Sequence, residues 1–141
     1  RFIAQVVMGI PLTVYGVGKQ TRGYLNIVDT IRCAQLAIEN PPELGNLNIF
    51  NQFTETLSVN KIADRIIHAA KELGIDATRK NMSNPRKESE EHFYNPKNSG
   101  LLNLGLEPTL MSVDLLKEMI IEIDKFKDQI RTDNVMPSVK W

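Results

Sequence analysis

Between Leu12 and Asp29 the chain reads Leu-Thr-Val-Tyr-Gly-Val-Gly-Lys-Gln-Thr-Arg-Gly-Tyr-Leu-Asn-Ile-Val-Asp, and no other stretch restricts the fold as much. Thr13-Val14-Tyr15 is β-branched and aromatic, Gly16 and Gly18 punctuate a turn, and Tyr24-Leu25-Asn26-Ile27 resumes an extended pattern. Two short strands around a glycine turn are therefore predicted. Arg22 stands where the turn re-enters the second strand. Its guanidinium carries five donors in a rigid fork that matches phosphate oxygens two at a time. Two familiar phosphate loops are excluded by spacing. A Walker loop needs a glycine where Thr13 stands and a hydroxyl residue where Gln20 stands, and the dinucleotide fingerprint needs a third glycine where Thr21 stands. On these residues alone, an exposed arginine beside a β-turn is the simpler account and a diphosphate anchor the sharper one.

The rest of the chain alternates helical and extended patterns. Phe2 to Met8 reads as the end of a helix, stopped by Gly9 and Pro11. A helix is expected from Asp29 as cap, with Ile31, Ala34, Leu36, Ala37 and Ile38 on its faces, ending at Asn40 before Pro41-Pro42. Asn46 to Asn51 reads as a strand. Ser58 should cap a helix bearing Val59, Ile62, Ala63, Ile66, Ile67, Ala70 and Leu73, with Gly74 as its stop. Ile75 to Met82 is an irregular strand broken by Ser83-Asn84-Pro85, and Asn95 to Gly105 a short helix. Ser112 then caps a long helix whose Leu115, Leu116, Met119, Ile120, Ile123, Phe126 and Ile130 form one apolar face, while the tail from Asn134 lacks periodicity. The pattern is that of an α/β fold with mixed short strands and about four to five helices.

Charge narrows the function classes. Lys plus Arg and Asp plus Glu both number 17, so the chain is neutral, which argues against a broad nucleic-acid or membrane surface while leaving room for a local basic site. With 42% hydrophobic residues the 141-residue chain can bury a core, its length is compatible with one domain, and no apolar run is long enough for a membrane span. Cys33, the single cysteine, excludes an internal disulfide and a multi-cysteine metal site, and its apolar neighbours make it a small core residue. His68 has no second ligand three or four residues away, which favours a surface or boundary histidine over a metal ligand. The run Arg86-Lys87-Glu88-Ser89-Glu90-Glu91-His92 is either a solvated charged face or a holder of a proton-transfer pair. Arg1 begins the chain inside an apolar pattern, which suggests a fragment.

Several of these segments together carry a resemblance. Val14-Tyr15-Gly16, Gly18, Gln20-Thr21-Arg22, Tyr24 and Val28-Asp29 resemble the substrate-binding segment of the nucleotide-sugar epimerases and dehydratases in the extended short-chain dehydrogenase/reductase superfamily. Asn84-Pro85-Arg86, Glu88, Glu90-Glu91-His92 and Tyr94-Asn95 resemble the corresponding segment of its sulfoquinovose branch, where the wider superfamily has a second arginine and this chain has His92. Leu104-Gly105-Leu106-Glu107-Pro108 matches a helix stop near the sugar site, and the Met136-Pro137-Ser138-Val139 to Trp141 ending is similar to the end of that branch. Phe50 to Thr54 is similar to the family's Asn-Ile-Gly stretch, with Phe53 in place of the glycine.

The resemblance implies the C-terminal, nucleotide-sugar-binding part of an extended Rossmann-type enzyme, with the stretch 46–51 joining a sheet in an upstream NAD-binding domain. It implies Arg22 and Arg86 on a diphosphate, Gln20 and Thr21 fixing the adjacent loop, His92 on phosphate or ribose, Gly23 and Glu91 as further substrate-binding residues, and Val14 and Tyr15 near the uracil. UDP-glucose and sulfite are the implied substrates, NAD the cofactor, and sulfolipid biosynthesis the setting. The catalytic Thr and the Tyr-x-x-x-Lys pair are expected upstream, so no catalytic residue and no metal site is assigned here, and this part alone should be inactive. A homodimer formed through the upstream domain is implied, soluble in the cytoplasm of a bacterium or archaeon or in a plant plastid. Another epimerase or dehydratase, or a non-catalytic binding fragment, is the alternative.

Overall fold

Residues 1–84 and 96–137 are described by the structure, a computed structural model, and the chain divides into two units. The first comprises Arg1–Gln20, Ser58–His92 and Ser112–Trp141, of which 85–92 and 138–141 lie outside the described residues. The second comprises Thr21–Leu57 and Phe93–Met111, of which 93–95 lie outside them.

In the first unit, helix α1 (Phe2–Val7) leads into strand β1 (Leu12–Tyr15). Helix α3 (Val59–Glu72) leads to strand β4 (Arg79–Met82), and α5 (Val113–Asp124) and α6 (Thr132–Val135) follow. β1 and β4 pair in parallel, Leu12 opposite Arg79 and Tyr15 opposite Met82. Leu12, Thr13 and Val14 are all buried, as in a strand covered on both faces. β4 instead exposes Arg79 and Lys80, charges that discourage a further strand from docking there. α3 forms as predicted: Ser58 Oγ accepts from Lys61 N at 3.2 Å, Gly74 ends it at φ +75°, and Ile62, Ala63, Ile66, Ala69 and Ala70 face the core. Ser112 Oγ likewise accepts from Leu115 N at 3.2 Å, and α5 buries Leu116 and Ile120 against α1 and α3. Lys117 ties the two helices at their surface, 2.8 Å from both Glu72 and Asp114. The hydrogen bond and charge of Lys117 hold the Asp114 carboxyl below its ordinary range, and its carboxylate partners raise the ammonium in turn.

A polar contact closes this core. Gln5 is fully buried; its Nε2 donates to Thr13 Oγ1 at 2.7 Å and to the Val135 carbonyl at 3.1 Å, and its Oε1 accepts from Thr13 N at 3.1 Å. Val135 belongs to α6, a helix the aperiodic tail did not announce. The apolar face expected to continue through Phe126 and Ile130 stops earlier. Only Leu116 and Ile120 on it are buried, Met119 and Phe126 are exposed, and the chain tightens after Asp124 into a 3₁₀ turn at Lys127–Gln129. Past Asp124 a further α turn would bury little, and helices persist mainly where packing holds them.

In the second unit, strand β2 (Thr21–Tyr24) pairs with β3 (Glu55–Ser58), and helices α2 (Ile27–Glu39) and α4 (Ser99–Asn103) pack together. Its core is Cys33, Leu101 and Leu106, with Leu25, Leu36 and Phe50 against them. The cap of α2 is Asn26 rather than Asp29: Asn26 Oδ1 accepts from Val28 N at 2.9 Å, so the helix starts earlier and the extended segment ends at Tyr24. Asp29 is instead fully buried within the helix, its Oδ2 accepting from Thr109 N at 2.7 Å and its Oδ1 from Thr109 Oγ1 at 2.8 Å. The strand expected over 46–51 forms no ladder among the described residues, and Leu47 and Ile49 are 80% and 83% exposed. Alternating apolar residues incline a segment to be a strand, but a ladder needs a partner backbone.

Candidate functional site

The glycine turn follows β1 and is held at its carbonyls. Gln20 Nε2 donates to the Tyr15 carbonyl at 3.2 Å, Asn81 Nδ2 to Gly16 at 2.8 Å, and Asn60 Nδ2 to Val17 at 2.8 Å. The main-chain N–H groups of Asn60 and Val59, in the first turn of α3, donate to the carbonyls of Gly18 at 3.0 Å and Gln20 at 3.2 Å. Donors that a helix start leaves without intrahelical partners are thus committed to the turn. Gly16 and Gly18 have φ of +61° and +71°. A Cβ on Gly18 would lie 2.1 Å from Asn60 Oδ1 and 2.8 Å from Val14 Cγ1, so contact as well as conformation demands glycine there. Asn60 Oδ1 accepts from Arg79 Nη1 at 3.3 Å, and the same nitrogen donates to Asp64 at 2.9 Å.

Of the site residues read from the sequence, Val14, Tyr15 and Gln20 fall in the first unit. The Val14 side chain is wholly enclosed, which leaves its main chain as its outward contribution. Tyr15 is half-buried, with the Arg1 guanidinium 5.6 Å from its ring centroid. Thr21, Arg22 and Gly23 lie in β2 of the second unit. Arg22 therefore sits inside a strand and not at the junction the pattern suggested, because β-branched Thr21 begins the strand and the Asn26 cap ends it early. Arg22 is exposed, and its Nη1 donates to the Thr21 carbonyl at 2.7 Å, one of the five donors in its fork. Strand alternation puts Tyr24 on the same face. Burial pushes the Tyr24 phenol up, with the Arg22 charge pulling the other way. The Tyr24 carbonyl is held by Thr54, through N at 2.8 Å and Oγ1 at 3.1 Å. Arg86, Glu91 and His92 lie outside the described residues.

One expectation needs correction. The spacing Tyr-x-x-x-Lys does occur within this chain, at Tyr15-Gly16-Val17-Gly18-Lys19. It spans the end of β1 and a turn with two left-handed glycines, so the helix that would put residues i and i+4 on one face is missing. Neither of the other chemical candidates forms a site. His68 is exposed and pairs with Glu72 at 3.2 Å, and no group of three metal-ligating side chains occurs among the described residues. Cys33 is fully buried, and burial, followed by the charge of Asp29, raises its thiol. Sequence reasoning missed Asn60, Arg79 and Asn81 as holders of the turn. Their role depends on contacts between distant segments, and no periodicity marks it.

No protein-family model matches the chain. Its sequence is 48% identical over 141 residues to the chloroplastic UDP-sulfoquinovose synthase of Spinacia oleracea, covering all of this chain and 29% of that protein. It is 38% identical over 143 aligned residues to the UDP-sulfoquinovose synthase of Sulfolobus acidocaldarius, again covering all of this chain and 36% of the relative. The chain thus spans about a third of the length of these curated relatives. Among solved structures, the UDP-glucuronic acid 4-epimerase of Bacillus cereus in complex with NAD superposes with a TM-score of 0.61 at 25% identity, over 94% of this chain and 39% of the epimerase. No described helix is long and apolar enough to cross a membrane.

Proposed function

We propose, on the premise that this chain belongs with the UDP-sulfoquinovose synthases among the extended short-chain dehydrogenases/reductases, that it forms the nucleotide-sugar-binding portion of an enzyme making UDP-sulfoquinovose from UDP-glucose and sulfite. The observation that carries the reading is the match over the whole chain at 48% and 38% identity. Arg22 and Arg86 each donate to the diphosphate, Gln20, Thr21 and Gly23 shape the neighbouring main chain, His92 bonds phosphate or ribose, and Glu91 is a further substrate-binding residue beside it. The nucleoside lies along Val14, which offers main-chain atoms, and Tyr15. The task of these groups is to hold one sugar nucleotide still through a multistep reaction.

NAD supplies hydride transfer in such enzymes. The described residues do not fit it: the glycine turn lacks the third glycine, and the N–H groups at the start of α3 are taken by the turn's own carbonyls. On the reading proposed here the cofactor is held by a part of the protein beyond these 141 residues, which span about a third of the length of the curated relatives. That part also supplies the sheet that 46–51 joins, which accounts for the exposure of Leu47 and Ile49, and the surface of a homodimer. The protein resides in a plastid if from a plant and in the cytoplasm if from a bacterium or archaeon.

Incubating the intact protein with UDP-glucose and NAD, with and without sulfite, tests the reading. A sulfonated UDP-sugar should form only with sulfite. A C4 epimer or a dehydrated sugar formed equally in its absence would instead select the epimerase or dehydratase alternative, which the likeness to the Bacillus cereus epimerase keeps in view. Charge-assisted hydrogen bonds contribute about 1.5–3 kcal/mol each, so Arg22→Ala should weaken UDP-glucose binding at least about tenfold by calorimetry. Unchanged affinity would remove Arg22 from the site.

A further inference from the structure

Asn60 makes two hydrogen bonds to the glycine turn, one from its side chain and one from its main chain. Its side-chain Nδ2 donates to the Val17 carbonyl and its main-chain N–H to the Gly18 carbonyl, while Oδ1 accepts from Arg79, which Asp64 holds in turn. The partners fix which way the amide faces, because a carbonyl only accepts and a guanidinium only donates. Through this one side chain the start of α3, strand β4 and the turn after β1 are joined. The fit is close enough that any side chain on Gly18 would meet Asn60 Oδ1. From the turn the chain runs through Gln20, whose carbonyl is held by Val59 N, directly into Thr21-Arg22.

We propose that Asn60 is the positioning residue of the glycine turn, held in place by Arg79 and Asp64, and that it sets UDP-sugar affinity through Val17 and Gly18 without touching the ligand. This rests on the UDP-sugar reading above. Aspartate in its place would keep the shape and the acceptor toward Arg79 but would turn a second acceptor onto the Val17 carbonyl, so two oxygens would repel where a donor now bridges. The turn would loosen, and the loss of one such bond should weaken binding about fivefold to tenfold.

The test uses the intact protein with Asn60→Asp, Arg79→Gln and Arg22→Ala, reading UDP-glucose affinity by calorimetry and amide hydrogen exchange over residues 16–20. Asn60→Asp should speed exchange in that segment and weaken UDP-glucose binding. Arg79→Gln, which leaves the Asn60–Val17 bond but not its orienting partner, should do both to a smaller degree and serves in its place if the aspartate variant does not fold. Faster exchange with unchanged affinity, or no change in either, overturns the inference. Arg22→Ala decides the reading beneath it separately: unchanged affinity there, with a loss in Asn60→Asp, would keep the turn and discard the arginine.

Discussion

Gly18→Ala should be among the most damaging single-methyl changes in this chain. The residue has φ +71°, a region where a side chain costs about 1–2 kcal/mol. The added Cβ would lie 2.1 Å from Asn60 Oδ1, so the Asn60 amide must move. That side chain is not a loose end, being pinned between the Val17 carbonyl at 2.8 Å and Arg79 at 3.3 Å, and displacing it forfeits bonds contributing about 1 kcal/mol each. Retreat the other way is closed by Val14 Cγ1 at 2.8 Å in a fully buried position. The expected destabilisation is about 3–4 kcal/mol, read from the urea midpoint of the intact protein. The contribution of Asn60 separates in a double-mutant cycle. With Asn60→Ala already present, Gly18→Ala should cost about 1–2 kcal/mol less, because the bonds of the Asn60 amide are no longer there to lose while the backbone strain and the Val14 contact remain. A loss below about 1 kcal/mol in the wild-type background, or the same loss in both backgrounds, would refute the close-contact argument.

Asp29→Ala should destabilise the protein by about 2–4 kcal/mol in urea denaturation, because it strips the Thr109 N–H and hydroxyl of a buried acceptor; a loss below about 1 kcal/mol would contradict that role. Cys33 should react with iodoacetamide at pH 8 at least about tenfold more slowly in the folded protein than in urea, since burial keeps its thiol protonated and covered. The folded thiol titrates above its ordinary 9.0, so the unfolded chain ionises first and stability falls as pH rises past that value, with Tyr24 adding the same sign above 10.0. Denaturation at pH 8 and pH 10 should show this decline, and Cys33→Ala should lessen it.

The elements legible in the sequence are those whose signals are local. Ser58 and Ser112 cap the helices they were expected to cap, Gly74 ends α3, and Gly16 and Gly18 make the turn their spacing implied. Asn26 and Asp29 show where local signals run out. Both are good caps, and what removes Asp29 from the choice is Thr109, 80 residues along the chain. Val14 is a similar case, since a strand covered on both faces and a strand lining a ligand can share one β-branched pattern. The stretch 46–51 has the alternation of a strand but no ladder among the described residues, and α5 is shorter than its apolar stripe because the stripe is only partly covered. For the candidate site, the turn itself was legible from the spacing of Gly16 and Gly18, and its place beside a ligand is what the resemblance to a family implies. The side chains that hold the turn were not, because Asn60, Arg79 and Asn81 meet it only after the chain has folded back.

The hydrogen bond from Gln5 to Val135 spans 130 residues. At a ribosomal pace of about 5–20 residues per second, the Gln5 amide waits on the order of ten seconds for its last partner to be synthesised. The segments of the second unit emerge in the meantime, so that unit can mature while the first stays open. Ile3, Val6 and Val7, which pack where α5 will later arrive, stay uncovered until that helix has been made, and a holding chaperone would have an apolar face to cover there.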